Sequence, residues 1–158
     1  MEIRLAQRED IPGMIALLRQ VGQVHHVGRP DIFRSGAQKY NEAQLETMLD
    51  DPENPIFVAH DGEKVLGYGF CFLQKYESDP VLTDRRVLYL DDLCVDESCR
   101  GQQVGQKIFD HICSYAKEKN YHSVTLNVWS CNPGAMKFYE KMGMKPQKIG
   151  MELLLEEK

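Results

Sequence analysis

The sequence predicts an α/β (α+β) fold in which helices pack on a mixed sheet. Two apolar segments, 56–60 and 64–74, are joined by Asp61-Gly62-Glu63, a tight-turn sequence that indicates an antiparallel hairpin. A strand–helix–strand unit then runs over 86–129, which predicts that its two strands are parallel and that the crossover between them is right-handed. A sheet that contains both kinds of pairing is mixed.

The N-terminal elements follow from periodicity and capping signals. Residues 2–6 alternate polar and apolar side chains, which predicts a short strand, and apolar residues recur at helical spacing over 11–21. The segment 22–39 has no clear period and is predicted to be a long polar connection. Asn41 is predicted to cap a short helix that ends near Leu49.

The C-terminal elements complete the order β α α β β β α β α β. The strand over 86–95 is followed by a helix over 104–119 with one apolar face and by an alternating strand over 123–129. A helix over 133–141 begins with a proline in its first turn, where the missing N–H is harmless. Residues 147–155 are predicted to form the last strand.

Composition favours one intracellular globular domain that spans residues 1–158. The chain is 42% hydrophobic, and no basic segment followed by an apolar run stands at its start. No apolar run is long enough to span a bilayer, so no membrane role is expected. The five cysteines are scattered without a CxxC pair, which favours reduced thiols, a cytoplasmic location and no metal. The net charge of −5 argues against a nucleic-acid partner.

The turn after the 86–95 strand has the features of a phosphate-binding turn. Gly101 and Gly105 allow close backbone approach, Arg100 adds a positive charge, and a helix begins there. Backbone N–H groups in the first turn of a helix have no intrahelical partner and bind phosphate well. A turn that simply needs glycine is the alternative interpretation.

A second motif lies downstream, at Asn132, Ala135, Phe138, Tyr139 and Gly143 in the pattern N-x-x-A-x-x-F-Y-x-x-x-G. Together the two segments resemble the GNAT superfamily of N-acetyltransferases, over about 88–144. The resemblance implies a mostly antiparallel central sheet with one parallel, splayed strand pair, and acetyl-CoA as cosubstrate. It also implies a set of residues that bind acetyl-CoA, namely Leu93, Cys94, Val95, Arg100, Gly101, Gln102, Gln103, Val104, Gly105, Gln106, Asn132 and Phe138.

The chain departs from the family pattern at two positions. Gln103 stands where the first motif has glycine, and Met144 replaces a frequent phenylalanine in what looks like a neutral exchange. Only a glycine that must take positive φ is irreplaceable. A position in the first turn of the helix accepts glutamine, so we expect acetyl-CoA binding to survive, either unchanged or weakened by crowding of the pyrophosphate.

Acetyl transfer to an amine requires a neutral amine, a donor for the oxyanion and a proton for the leaving thiolate. The resemblance places an acid at Asp91, our candidate for the first need, either through a water relay or by binding the amine. Asp92, expected on the opposite face of the strand, is the alternative, and a purely structural pairing of both acids stays open. A backbone N–H of Leu93, Cys94 or Val95 is the candidate oxyanion donor.

Tyr139 fits the third need, because a protonated phenol can donate to the thiolate sulfur. The alternative is a core tyrosine stacked beside Phe138. Asn132 is expected to brace the loop or contact the cosubstrate.

The resemblance implies that the polar connection covers the acceptor amine, because in the family the region after the first helix varies with substrate. The predicted substrate-binding residues are His26, Arg29, Phe33, Asp92 and Asn127. His25 and His26 do not indicate a metal, since adjacent residues in an extended segment point apart and no third ligand is evident. Acidic residues between two strands, Glu77, Asp79 and Asp84, join Asp91 and Asp92 in a predicted acidic mouth, although a solvated loop explains the first three equally well.

An acidic mouth favours a cationic acceptor such as a polyamine, a diamine, an aminoglycoside or a lysine side chain. The predicted function is therefore an N-acetyltransferase that acts on a small cationic amine. A protein or peptide acceptor and a non-catalytic acyl-CoA-binding sensor remain alternatives. A nucleotide-binding fold is disfavoured, because Ala6-Gln-Arg-Glu-Asp10 after the first strand lacks glycine. Leu153, Leu154 and Leu155 are either interior or part of a homodimer contact through the last strand.

Overall fold

A computed structural model describes residues 1–156 of the chain. These residues divide into two compact units, Met1–Asn127 and a second unit that begins at Val128, and each unit is described by itself. Among the described residues, none of the helices is long and apolar enough to cross a membrane. A single domain over 1–158 stays a prediction.

The first unit is built on a five-stranded sheet with strand order β1-β2-β3-β4-β5. The first four strands pair antiparallel, and the last pair is parallel, which confirms the mixed sheet. The strands are β1 (Glu2–Leu5), β2 (Ile56–His60), β3 (Val65–Tyr76), β4 (Arg85–Val95) and β5 (Ser123–Thr125). Three helices join this sheet, α1 (Ile11–Gly28), α2 (Glu42–Leu49) and α3 (Val104–Glu118), and α4 (Pro133–Lys141) lies in the second unit.

Local signals in the sequence explain where several elements begin. The Asn41 side-chain oxygen accepts a hydrogen bond from Gln44 N at 2.8 Å, and Gln44 Oε1 accepts from Asn41 N at 2.9 Å, which forms the capping box of α2. Asp61 accepts from two backbone N–H groups in the β2–β3 turn, where Gly62 has a φ of +104°. The turn predicted at these residues is therefore confirmed.

Helix α3 packs closely on the sheet because β3 carries glycines beneath it. A Cβ at Gly67 would lie 2.8 Å from the carbonyl oxygen of Cys94 and 2.9 Å from Cδ1 of Ile108. A Cβ at Gly69 would lie 2.7 Å from Cδ1 of Ile112. A side chain at Gly67 would meet the backbone of β4, and at either position the isoleucine side chains of α3 would have to repack. Helix α3 carries the predicted phosphate-binding turn at its start.

Helix α1 is longer than the sequence predicted. It continues to Gly28, through a segment predicted to be a polar connection, and ends before Pro30. The added turns have no single apolar face to mark them, and Val27 is 73% exposed. The chain then returns along the helix, so that a Cβ at Gly22 would lie 2.4 Å from the carbonyl oxygen of Ala37.

Two predicted strands differ from the structure. Strand β5 ends at Thr125 instead of 129, and residues 147–155 form no strand. Alternation alone does not make a strand, because each backbone group also needs a paired neighbour. The described part of the second unit contains one helix and no strand to pair with. Leu153 and Leu155 are 83% and 90% exposed, so the interior placement of these leucines is wrong.

Candidate active site

A β-bulge displaces Asp91 from the regular pairing of β3 with β4. Phe70 pairs with Asp92 and Cys71 pairs with Leu90, which leaves Asp91 as the extra residue of β4. Bulges redirect side chains, and residues on either side of one no longer alternate between the two faces of the sheet. The bulge therefore decides where the two candidate acids point.

Asp91 accepts hydrogen bonds from two residues that precede α2. Lys39 Nζ lies 2.7 Å from Asp91 Oδ2, and the Tyr40 hydroxyl donates to the same oxygen at 3.1 Å. The Tyr40 ring packs against Phe70 with ring centroids 5.4 Å apart. The Asp91 side chain is 15% exposed and that of Lys39 is 49% exposed. A carboxylate at the edge of solvent is thus already bound to an alkylammonium group.

Asp92 lies on the same face as Asp91, which corrects the expectation that the two acids point apart. The Tyr68 hydroxyl donates to Asp92 Oδ2 at 2.7 Å, and the Tyr68 ring packs edge-on against Phe70 with centroids 4.7 Å apart. Both acids therefore reach tyrosines that contact one phenylalanine. Burial, together with the Asp91 charge, raises the pKa of Asp92 to about 6, against the lowering effect of the Tyr68 hydrogen bond.

The raised pKa of Asp92 predicts a pH-dependent stability. A carboxyl group whose pKa rises from 3.8 to about 6 on folding stabilises the protein fully below pH 3.8, and this contribution is lost as the pH rises through 6. In Asp92→Asn the amide oxygen still accepts from Tyr68, and the ionisation is gone. Relative to wild type, we expect the variant to gain up to about 3 kcal/mol of unfolding free energy between pH 4 and pH 7.5. Urea denaturation at both pH values checks this, and an unchanged difference between the two proteins would contradict it.

Asn127 lies beside the same part of β4. Its Nδ2 donates to the Tyr89 hydroxyl at 3.2 Å, and Tyr89 precedes Asp91 by two positions on β4. Asn127 is not part of the strand predicted over 123–129, because β5 ends at Thr125. Trp129 belongs to the second unit and is 42% exposed.

The other predicted substrate-binding residues cluster at the end of α1. His26 Nδ1 lies 2.7 Å from the carbonyl oxygen of Phe33, and the His25 and Phe33 rings pack with centroids 4.8 Å apart. Arg29 forms an ion pair with Asp31 at 2.7 Å. Burial lowers the pKa of His25, and the positive charge of Lys39 lowers it further. The structure thus gives His26 and Arg29 local partners of their own.

The predicted pyrophosphate turn leads directly into helix α3. Gly101 has a φ of +80°, and a Cβ built there would meet no atom within 4 Å. The N–H groups of Val104, Gly105 and Gln106 begin the 15-residue helix α3, whose dipole is positive at this end. Arg100 precedes the turn and supplies charge, so these residues fit the phosphates of acetyl-CoA. Gln102, also predicted to bind the pyrophosphate, lies in the same turn, directly after Gly101.

The sequence led us to expect Gln103 in the first turn of α3, but the structure places it before the helix. It is the N-cap residue and adopts the left-handed conformation, with φ 61° and ψ 20°. Its carbonyl oxygen accepts from Lys107 N at 3.0 Å. Glycine adopts the left-handed conformation without strain, whereas residues with a Cβ are strained there. This explains why the family motif has glycine at this position.

The left-handed conformation at position 103 predicts how substitutions there affect stability. Glycine removes about 1 kcal/mol of strain but gains about as much conformational entropy in the unfolded chain. We therefore expect Gln103→Gly to melt at or slightly above the wild-type temperature. Gln103→Val should lose about 1–2 kcal/mol, because a β-branched residue is strained at positive φ. Thermal unfolding of both variants checks this, and a Gly variant less stable than the Val variant would contradict it.

The candidate oxyanion donors lie on β4 beyond the parallel pair. Strand β5 pairs only with Val87, Leu88 and Tyr89, while β4 continues to Val95, so the two strands separate before the turn. The Cys94 side chain points away into the core, where its Sγ contacts the carbonyl oxygen of Leu17 at 3.6 Å. Burial raises the pKa of this thiol to about 12. The Cys94 thiol is therefore no acid or nucleophile, and Cys94 can contribute only its backbone groups. Leu93 and Val95, the other two candidates, can contribute backbone groups or apolar contact.

The second unit holds the remaining predicted residues on and before α4. The Asn132 side chain accepts from Ala135 N at 3.2 Å and so caps this helix. The Phe138 and Tyr139 rings pack edge to face with centroids 5.1 Å apart. Helix α4 has no buried residue, so Tyr139 is a half-buried side chain and not a core tyrosine.

Four residues that contact Asp91, Asp92 or Asn127 were not identified from the sequence. They are Lys39, Tyr40, Tyr68 and Tyr89. Each lies in a segment without a motif, and only the pairing of β3 with β4 and the return of the chain along α1 bring them together. Within the part of the chain that the structure describes, no group of three or more His, Cys, Asp or Glu residues is arranged to hold a metal ion.

Comparison with known proteins identifies the class to which this fold and site belong. A model of the acetyltransferase (GNAT) family matches residues 23–144. A mutant form of the BH1408 protein of Bacillus halodurans has a similar structure, with a TM-score of 0.93, 35% identity, and coverage of 98% of this chain and 99% of that one.

Two curated relatives point to the same class. The chain is 30% identical over 146 residues to peptidyl-lysine N-acetyltransferase YjaB of Salmonella typhimurium, a match that covers 90% of this chain and 82% of the relative. It is 26% identical over 151 residues to thialysine N-epsilon-acetyltransferase of Bos taurus, a match that covers 89% of this chain and 82% of the relative. The chain therefore belongs to the GNAT acetyltransferase family and is an acetyl-CoA-dependent acyltransferase.

Proposed function

We propose that this enzyme transfers the acetyl group of acetyl-CoA to a primary amine, in the simplest case a small cationic amine, by direct attack in a ternary complex. The observation that carries the proposal is the contact of Asp91 with an alkylammonium group, Lys39 Nζ, at 2.7 Å. A carboxylate that binds one alkylammonium at the edge of solvent is suited to bind another.

In this proposal Asp91 binds the amine and takes up its proton, directly or through water. Tyr139 donates a proton to the leaving thiolate, a role that rests on its place in the family motif. The turn residues Arg100, Gly101, Gln102, Gln103, Val104, Gly105 and Gln106 hold the pyrophosphate, with Asn132 and Phe138 as further contacts. Backbone groups of Leu93, Cys94 and Val95 stabilise the oxyanion.

The acceptor is proposed to lie between β4 and the end of α1, where His26, Arg29, Phe33, Asp92 and Asn127 are the predicted contacts. Tyr40, which binds Asp91, also lines an open groove with Thr47, Met48 and Phe72. The groove offers an apolar surface to the part of the acceptor that does not react.

The names of the two curated relatives favour an amine at the end of a flexible chain. One acts on peptidyl-lysine and the other on the epsilon amine of thialysine. The first name also favours a second candidate function, acetylation of a lysine side chain in a protein or peptide. Both acceptors present the same reacting group to Asp91, so the chemistry proposed above holds for either.

An acceptor screen distinguishes these two functions. Thiol release from acetyl-CoA is measured with spermidine, a diamine, an aminoglycoside and a lysine-containing peptide, and kcat/KM is compared across them. We expect turnover with the small cationic amines and a lower kcat/KM for the peptide. Turnover with the peptide alone would replace the small-amine proposal by the peptide one.

The location and the assembly of the enzyme are also proposals. Five free cysteines support a reducing compartment, and we expect the enzyme to act in the cytoplasm. The alternating, exposed side chains of Ile149, Met151, Leu153 and Leu155 support a homodimer through this segment.

A further inference from the structure

The residues on both sides of Lys39, Gln38 and Tyr40, are anchored by hydrogen bonds. Gln38 Oε1 accepts from Arg19 Nε at 2.9 Å, and Gln38 Nε2 donates to the carbonyl oxygen of Tyr40 at 2.8 Å. The Tyr40 hydroxyl anchors the next residue to Asp91. The Lys39 side chain is the half-exposed part of this arrangement, so it can leave Asp91 without any movement of the backbone.

The Lys39 side chain is chemically the same as the proposed acceptor, a primary ammonium on a flexible alkyl stem. Its Nζ approaches Asp91 Oδ2 at 2.7 Å and lies 5.6 Å from the centroid of the Tyr40 ring. Tyr40 already donates to that oxygen, and two ammonium groups on one carboxylate repel each other. Lys39 and Tyr40 share Oδ2, so an acceptor ammonium that approached the same carboxylate beside Lys39 would be repelled by its charge, and it binds Asp91 more readily once the Lys39 ammonium leaves.

We propose that Lys39 occupies the acceptor-ammonium position on Asp91 and acts as an internal competitor that weakens acceptor binding. The inference rests on the proposed function, in which Asp91 binds the acceptor amine. Lys39 then lowers the affinity for every acceptor that binds through Asp91, because part of the interaction with the carboxylate is spent on displacing the Lys39 ammonium.

Lys39→Met tests the proposal, since methionine keeps the length of the stem without the charge. Spermidine binding is measured by calorimetry in saturating CoA for wild type and variant. An exposed ion pair is weak, so we expect the Kd of the variant to be about two- to fivefold lower. In steady state the KM for the amine should fall similarly, with the KM for acetyl-CoA unchanged.

Two matched variants separate this effect from a change in overall charge. Lys75→Met removes the same charge from a surface ion pair with Glu53, and we expect it to leave spermidine binding unchanged. In an Asp91→Asn background, Lys39→Met should give no gain, because the shared partner is gone.

Each other outcome overturns the inference in a recognisable way. Equal or weaker spermidine binding by Lys39→Met, with wild-type binding intact, refutes the competitor role and leaves the proposed function standing. A gain that Lys75→Met reproduces shows a general charge effect in place of competition. If neither protein binds spermidine or a lysine-containing peptide, the inference and the proposed function fail together.

Discussion

Tyr139→Phe is expected to slow acetyl transfer by about 10²- to 10⁴-fold, which is the usual contribution of a positioned proton donor. The substitution removes one hydroxyl and keeps the ring that packs against Phe138. Because the proton is needed when the C–S bond breaks, the loss should appear in kcat, with the KM for acetyl-CoA nearly unchanged. Steady-state thiol release at saturating amine measures it.

The matched control is Tyr76→Phe, which removes a hydroxyl that contacts Gln74 at the end of β3. We expect this variant to turn over at the wild-type rate. A Tyr139→Phe enzyme that keeps more than about one third of the wild-type kcat would exclude the acid role. A variant that loses acetyl-CoA affinity instead would make Tyr139 a binding residue.

The next largest effect is expected from Asp91→Asn, with kcat/KM for a cationic amine reduced by about 10²-fold or more. Asparagine has nearly the same shape and can still accept from the Tyr40 hydroxyl, but it neither attracts an ammonium group nor takes up its proton. Kinetics separate the two roles. A lower kcat indicates proton removal, whereas a higher KM for the amine with kcat unchanged indicates binding alone.

Asp110→Asn is the control for this variant, since Asp110 is exposed on α3 and the change in charge is the same. It should behave as wild type. Asp91→Asn with unaltered kcat and unaltered KM for the amine would contradict the assignment, and the lone remaining role of Asp91 would be to hold Lys39 and Tyr40 in place.

Signals that act over a few residues predicted much of the fold. The Asn41 cap, the turn at Gly62 and the proline that opens α4 each depend on neighbours in sequence, and the structure has all three. The predicted phosphate-binding turn and the Tyr139 segment were recognised because their residues stand at fixed spacings. The parallel pairing of β4 with β5 followed from the helix between them.

The register of paired strands and the side-chain contacts between distant segments were not predicted. The register shift opposite Cys71 bulges Asp91 and places Asp92 on the same face, whereas simple alternation separates the two acids. Lys39 and Tyr40 meet Asp91 across more than fifty residues of sequence, so no local pattern could indicate their contact. The sequence therefore predicted the acids of the site but not the Lys39 ammonium group that Asp91 binds.

Conformation at single residues accounts for two further differences. The left-handed conformation of Gln103 is visible only in the backbone, because the sequence shows a residue that is common in the first turn of helices. The alternation over 147–155 is a pattern of strands, but pairing requires a neighbouring strand that the described part of its unit does not contain. A sequence pattern indicates which face a residue prefers and not which partner it meets.

The most direct test of the central claim is whether the chain transfers acetyl from acetyl-CoA to an amine. Purified protein is incubated with acetyl-CoA and spermidine, or with a lysine-containing peptide, and free CoA thiol and acetylated product are quantified together by mass spectrometry. We predict equal amounts of both, in proportion to the protein added. Binding of acetyl-CoA without thiol release above the spontaneous rate for either acceptor would contradict the claim and favour an acyl-CoA-binding sensor.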